Sequence, residues 1–455
     1  MEYIKIDERI CTGCDECTKV CPVGAIEGGH GKPHTINEEK CIHCGQCVQK
    51  CKAYLSPAID GLEKYYEVRK ERKLPDSLKE PLFAAYNVCH INEVEAALAN
   101  ESKICVVHCA PAVRVAIAEE FGVEAGSVEA GRLAAALRAL GFAHVYDANF
   151  AADLTIMEEG TELINRVTKG EGKLPMFTSC CPGWVSFMEK NYPALKDNLS
   201  SCKSPQQMQG AIEKTYGAEV LGVDSASVYT VSIMPCTAKQ FESSRDEMWD
   251  SGHRDVDVVL TTRELAYLIK SKGIDFMNLE PEKFEDTLGE YTGAATIFGV
   301  TGGVMEAAIR TGYELITGKP VDNLNIDAVR GNEGFRTAEI KLNDELTLKV
   351  GIVTGLKNAF EVCDMVSEGK LDLHFIEVMA CPEGCITGGG QPKLLEDFLR
   401  EDTIKARREA IYRHDEELPL RKSHENPSVK KLYDDFLKEP CGEKSHHLLH
   451  TTYCN

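Results

Sequence analysis

Apolar and polar positions along most of this chain follow two alternating periods. From Lys103 onward, ICVVHCAP reads as a buried strand, VRVAIAEEFG as a helix, and GRLAAALRALGF as an amphipathic helix. HVYDA predicts a strand and Ala152 to Val167 a helix. PMFTSCC then predicts a strand, WVSFMEKNY a helix, SVYTVSIMPC and VDVVLTT two strands, and RELAYLIKSKG a helix. FGVTGG introduces a long helix over Val304 to Thr317. LKVGIVTG, the helix NAFEVCDMVSEG and the strand FIEVMAC complete the series. Strands alternating with helices imply an α/β fold with parallel sheets covered by helices, and the length of the region predicts two lobes. The flanks differ. Lys64 to Lys73 is basic and helix-prone, breaks at Pro75 and Pro81, and reads as a linker with a solvated face. Residues 401–455 are charged, helical and strandless, an appendage wrapping the main domain.

At 455 residues the chain has length for two or three domains, and its 43% apolar and 27% charged composition is that of a soluble globular protein. A net charge of −21 argues against nucleic acid and against anionic membranes, since either needs a basic surface. No apolar run reaches the length of a membrane span, and MEYIKIDERI lacks a signal-peptide core, so the expected location is the cytoplasm. Twenty cysteines need a chemical use there, because a reducing compartment disfavours disulfides.

Eight of them sit at the front. Cys11, Cys14, Cys17 and Cys21 follow C-x2-C-x2-C-x3-C, with Pro22 next; Cys41, Cys44, Cys47 and Cys51 repeat the spacing, with Lys52 in place of the proline. This resembles the two-cluster bacterial ferredoxins across residues 1–60. In that arrangement the fourth cysteine of each run crosses to the other cluster. The resemblance implies one 4Fe–4S cluster on Cys11, Cys14, Cys17 and Cys51, and another on Cys41, Cys44, Cys47 and Cys21. Zinc is the alternative metal, but it rarely uses so compact a run. About 400 residues remain, too much chain for an electron carrier alone.

Three further segments end strand-like runs: TSCCPGW at Cys180 and Cys181, MPCTAKQFE at Cys236, and EVMACPEGCITGGGQP at Cys381 and Cys385. Loops at the ends of parallel strands can converge on one crevice. Together these segments resemble the three cluster-binding motifs of the FeFe hydrogenases, and the resemblance covers nearly the whole chain. Glu383 departs from it, where a small residue such as glycine is expected. The KSHHLLHT stretch of the tail resembles that family's small subunit, here fused.

The family resemblance implies three units: an α+β two-cluster ferredoxin domain with a linker over residues 1–84, a catalytic domain over 85–400, and a small-subunit-like helical segment over 401–455. It implies an H-cluster, whose 4Fe–4S cubane is held by Cys181, Cys236, Cys381 and Cys385. Cys385 also bridges to a di-iron subsite carrying carbon monoxide, cyanide and an azadithiolate. Lys239, Ser204, Gln206 and the backbone at Ala110 and Pro111 match the cyanide-side positions, and Met234 and Met379 precede their cysteines by two residues. Cys180 is the implied proton donor. Glu159, Ser200, Glu162 and Arg166 continue a proton path to water. The spacing of Glu159, Glu162 and Arg166 puts all three on one helix face, which an ordinary exposed ion pair would also do. The implied activity is interconversion of H2 with protons and electrons. A ferredoxin-like redox partner exchanges the electrons, and separate maturation proteins build the di-iron unit. Two rivals remain: a relative with clusters but no di-iron subsite, which would lack part of the Cys180, Lys239, Met234 and Cys385 set, and a hydrogen sensor, which would carry a signalling domain. Cys89, Cys105, Cys109, Cys202, Cys363, Cys441 and Cys454 show no ligand spacing and read as plain thiols, and His446, His447 and His450 as local packing.

Overall fold

The fold is seen in a computed structural model that describes residues 3–75, 80–344 and 346–453; Cys454 lies outside them. Two four-stranded sheets form the centre. In the first, strands Val258–Thr261, Val228–Met234, Ile104–Cys109 and His144–Asp147 lie side by side in that order, all parallel. Helices cover both faces, so strand Val228–Met234 is buried at all but one position, as its near-continuous apolar run requires. The second sheet runs Phe335–Lys341, Thr347–Thr354, Phe375–Met379, Met176–Phe177. It departs from the all-parallel expectation, because its first two strands pair antiparallel. The connection between them is too short for a crossover, so only a hairpin can form. Strand Phe335–Lys341 alternates half-buried and exposed residues, as an edge strand does, and its charges hid it from the sequence pattern.

Most predicted helices form, and local chemistry sets their ends. Ala148–Lys169 begins where the Asp147 carboxylate accepts the Asn149 amide at 3.0 Å and stops at Gly170, whose φ is 72°. Thr262–Ser271 starts with a reciprocal capping box between Thr261 and Glu264. Gly303–Thr317 has its first turn held by buried Glu377 of the second sheet, which accepts the Gly302 and Met305 amides at 2.6 and 2.8 Å. The VRVAIAEEFG run is different: only Ile117–Phe121 winds, as a short 3-10 turn. Arg114 inside that run is wholly buried, bonding the Pro111 carbonyl and Asp147, which holds the segment as turns. The PMFTSCC strand also shortens to Met176–Phe177, and the chain leaves the sheet before its cysteines.

The stretch read as a linker packs instead on the front module. Helix Leu62–Glu71 buries Tyr65 and Val68 against Ile10, Cys51, Leu55 and Leu82, while Lys64, Glu67 and Lys70 face solvent. Strands Leu82–Phe83 and Ala85–Asn87 pair back onto Tyr54–Leu55 and Ile4–Ile6. The tail is helical, as expected, with helices Asp397–Glu417, Pro427–Leu432 and Glu443–Leu449. It is fastened to the body by a charge network with a wholly buried centre: Arg310 donates to Asp415 at 2.8 Å and to Glu306 at 2.6 Å, and partly exposed Arg421 donates to Asp415 at 2.7 Å.

Candidate metal centre between the sheets

Strand ends from both sheets meet at one cavity. Cys181 caps helix Pro182–Asn191, and Cys236 lies between strand Val228–Met234 and helix Ala238–Ser243. Cys381 follows strand Phe375–Met379, and Cys385 opens a 3-10 turn over Cys385–Thr387. These four thiols and Cys180 line the cavity together with Met234, Met379, Ala110, Pro111, Gln206 and Lys239. Its volume, about 80 Å³, is several times what one water needs. Glycine lets the loops close on each other. A Cβ at Gly384, whose φ is 92°, would lie 2.7 Å from the Thr301 nitrogen, and one at Gly388 would lie 2.2 Å from the Pro235 oxygen.

Burial, and then the neighbouring thiols, push Cys236 up to about 12 and Cys381 well above the ordinary thiol range. Thiols that oppose one another's ionisation around one cavity fit a metal cluster, whose positive charge would allow all four to ionise. The front cysteines show the same mutual effect in the crossed grouping. Cys17 is pushed up to about 12 by burial, then by Cys11, Cys51 and Cys14, and Cys41 and Cys44 each feel Cys21. The residues present therefore fit three clusters. Cys44 is also within electrostatic reach of Cys236 and Cys381, so the second front group adjoins the cavity. The contact is tight: a Cβ at Gly45 would lie 2.4 Å from Thr237 Oγ1, and one at Gly389 would lie 2.6 Å from the Cys44 oxygen.

Lys239 is held at the cavity by a residue to which the sequence reading gave no role. Its Nζ donates to Glu242 at 2.9 Å and to the Cys180 carbonyl at 3.1 Å. Glu242 is buried and also accepts Gln206 Nε2 at 3.0 Å and Ser204 Oγ at 2.8 Å. Ser204 thus reaches Glu242 and does not line the cavity, unlike the other named positions. The i, i+3 spacing of Lys239 and Glu242 on helix Ala238–Ser243 was the available signal. Gln46 and Gln49 were also missed. Gln46 Nε2 donates to Cys381 Sγ at 3.2 Å, and Gln49 Nε2 to the Gly388 carbonyl at 3.0 Å. Two glutamines three apart, flanking Cys47, were visible in the sequence. Glu383, the departure noted above, has φ 66° and bonds Arg408 of the tail and Asn332.

Glu159, Glu162 and Arg166 do share one face of Ala148–Lys169. Both Glu159 oxygens are buried without a hydrogen-bond partner, facing Ser200 and the Ser179 amide. Burial, and then the charge of Glu162, push Glu159 up to about 8. Ser200 Oγ donates to Glu162 Oε2 at 2.8 Å, and Arg166 Nη2 donates to Glu162 Oε1 at 2.5 Å. Cys180 feels the Glu159 charge, and burial raises its thiol well above the usual range. So Cys180, Glu159, Ser200, Glu162 and Arg166 lie next to one another. Of the tail histidines, His450 does more than pack: it lies buried, 3.0 Å from Glu158 Oε2.

Three family models match this chain: "Iron only hydrogenase large subunit, C-terminal domain" over residues 103–389, "Iron hydrogenase small subunit" over 401–455, and "4Fe-4S dicluster domain" over 3–52. The NADP-reducing hydrogenase subunit HndD of Solidesulfovibrio fructosivorans is 46% identical over 434 residues, 91% of this chain and 73% of that protein. Protein NAR1 of Arabidopsis thaliana is 32% identical over 376 residues, 78% of each chain. Among solved structures, the FeFe-hydrogenase HydA1 of Chlamydomonas reinhardtii superposes with a TM-score of 0.71 at 42% identity, over 80% of this chain and 98% of that one. The chain belongs to the iron-only hydrogenase family, oxidoreductases acting on H2, and its cofactors are two 4Fe–4S clusters and an H-cluster.

Proposed function

We propose that the chain exchanges electrons between H2 at the cavity and a ferredoxin-like partner through the two front clusters. Cys11, Cys14, Cys17 and Cys51 hold the outer cluster, and Cys21, Cys41, Cys44 and Cys47 the inner one. Cys181, Cys236, Cys381 and Cys385 would hold the H-cluster cubane, and Cys385 would also be the protein's one ligand to its di-iron subsite. When bound, the H-cluster supplies the iron chemistry that makes and breaks H2. The chain's own residues hold and shield it and move the protons. The Lys239 ammonium, fixed by Glu242, and Gln206 orient the cyanide side with the backbone of Ala110 and Pro111; Ser204 acts through Glu242. Met234 and Met379 line the cavity and would present polarizable thioethers to the metal. Cys180 gives and takes the proton at the cavity, and Glu159, Ser200, Glu162 and Arg166 carry it outward. Separate maturation proteins insert the di-iron unit. The unit carrying the two front clusters runs to Asn87 in this reading, because its last strand pairs with its first. The cytoplasm is the proposed location; no helix among the described residues is long and apolar enough to cross a membrane.

The observation that carries this reading is the meeting of Cys181, Cys236, Cys381 and Cys385 on one cavity beside Cys44. A relative with clusters but no di-iron unit is the rival reading, but Cys180, Lys239, Met234 and Cys385 all line this cavity. Infrared spectra of anaerobically matured protein decide between them. Carbon monoxide and cyanide bands that shift under H2 are expected, and their absence after full maturation sinks the enzyme reading. Cys180→Ala should keep those bands yet lose turnover by roughly 10²–10⁴-fold, the usual worth of a positioned proton donor. Unchanged turnover would remove Cys180 from its role.

A further inference from the structure

The path just proposed is joined at Glu162 by a second line of proton-bearing groups that it leaves idle. Cys202 Sγ lies 3.9 Å from Glu162 Oε2 and 3.9 Å from His450 Nδ1. Ser201 spans the same gap: its amide donates to Glu162 Oε2 at 3.1 Å, and its hydroxyl lies 2.8 Å from His450 Nδ1. On the far side of the ring, His450 Nε2 lies 3.0 Å from Glu158 Oε2. Glu158 also accepts the Tyr433 hydroxyl at 2.5 Å and the Cys441 amide at 2.7 Å. Cys202 and Glu158 are wholly buried, and His450 nearly so. Exposed His446 stacks on His450 with ring centroids 4.7 Å apart and planes 5° apart, so solvent begins one ring away.

His450, Tyr433, Cys441 and His446 all come from the tail, whereas Glu158, Glu162 and Cys202 come from the body. The tail therefore completes a line that the body alone would leave open. We propose that Cys202 and His450 give protons a second exit from Glu162, leaving past Glu158 and Tyr433 beneath His446. The chemistry balances without electrons. Burial and the charges of Glu162, Glu159 and Glu158 keep the Cys202 thiol protonated. As the thiol takes a proton from the Glu162 carboxyl, it passes its own to His450 Nδ1. The ring then releases its Nε2 proton to the Glu158 carboxylate 3.0 Å away, since imidazole binds and releases on opposite nitrogens. Only S–H, O–H and N–H bonds change.

This inference rests on the proton path proposed above, and the test separates the two. Turnover is measured on full-length matured protein and normalised to H-cluster content by infrared intensity. Arg166→Leu closes the first exit and should slow turnover several-fold. Adding His450→Gln or Cys202→Ala should cost about tenfold more, the low end of what a positioned proton carrier supplies. Cys202→Ser, which keeps a transferable proton, should stay within about twofold of Arg166→Leu alone. The branch is overturned if His450→Gln and Cys202→Ala add nothing in the Arg166→Leu background, or if Cys202→Ser falls as far as Cys202→Ala, which is the mark of a packing role. Glu162→Gln tests the parent path. If it kills turnover while the combined variants are silent, only the branch fails; if it leaves turnover intact, both fail.

Discussion

Glu159→Gln should leave the protein more stable and nearly inactive, two effects that ordinary damage to a buried residue does not produce together. Both carboxylate oxygens are buried without a partner, and burial and Glu162 push the group from 4.5 up to about 8. Between those values the folded chain holds a proton that the unfolded chain has released. Stability therefore falls as pH rises from 4.5 and stops falling above 8. At about 1.4 kcal/mol per unit, the penalty is on the order of 3 kcal/mol at pH 7 and under about 1 at pH 5. Glutamine has the shape of the neutral acid and never ionises, so it removes the penalty. Thermal unfolding of matched anaerobic samples at pH 5, 6, 7 and 8 should show the variant nearly level with the native chain at pH 5 and pulling ahead as pH rises. An amide does not relay protons, so H2 evolution should fall by roughly 10²–10⁴-fold with the clusters intact. A stability gap that is flat or reversed across this range would refute the raised carboxyl, and turnover near normal would refute its place in the path.

Three more outcomes are expected. Asp415→Ala strands buried Arg310 without its main partner and should cost about 3–5 kcal/mol, read as a lower unfolding midpoint with early proteolysis of the tail. Gln46→Leu removes the side-chain donor to Cys381 Sγ, which favours the more negative, reduced state, so the cubane potential should become more negative in a redox titration followed by electron paramagnetic resonance. Glu242→Gln takes the counter-charge from Lys239; the infrared cyanide bands of matured protein should shift and the yield of matured enzyme should fall, whereas unchanged bands would show that Lys239 needs no anchor.

The parts legible in the sequence share a physical origin. The front cysteine ligands sit at fixed short intervals, and buried strands are mostly apolar along their length, so both are written locally. Cys11 to Cys51 and the runs around Cys181, Cys236 and Cys381 could be found for that reason. What the pattern missed depends on partners distant in sequence. Phe335–Lys341 is a strand because Thr347–Thr354 pairs with it. VRVAIAEEFG unwinds because Arg114 finds Asp147. Glu242 gains its role only when Ser204, Gln206 and Lys239 point at it from two helices and a loop. His450 lies 249 positions from Ser201, and no local period could join them.

Glu383 shows how a departure from the expected residue is absorbed. Its φ of 66° is the conformation for which glycine is favoured, and a side chain there costs on the order of 1–2 kcal/mol. Glycine at this point would leave a hinge between Cys381 and Cys385. Glutamate instead accepts Arg408 from the tail helix and Asn332 Nδ2 at 3.1 Å. A hydrogen bond contributes about 1 kcal/mol and a half-exposed ion pair up to about 1, so the strain is nearly offset. The loop carrying two cavity cysteines is thereby tied to the tail through Arg408, and Arg407 of the same helix donates to the Ile386 carbonyl at 2.7 Å. In a chain whose small-subunit-like segment is fused, that helix is always present to make the bond. A glycine's conformational freedom can then be replaced by a clamp, and the loop becomes stiffer where the ligands need fixed positions.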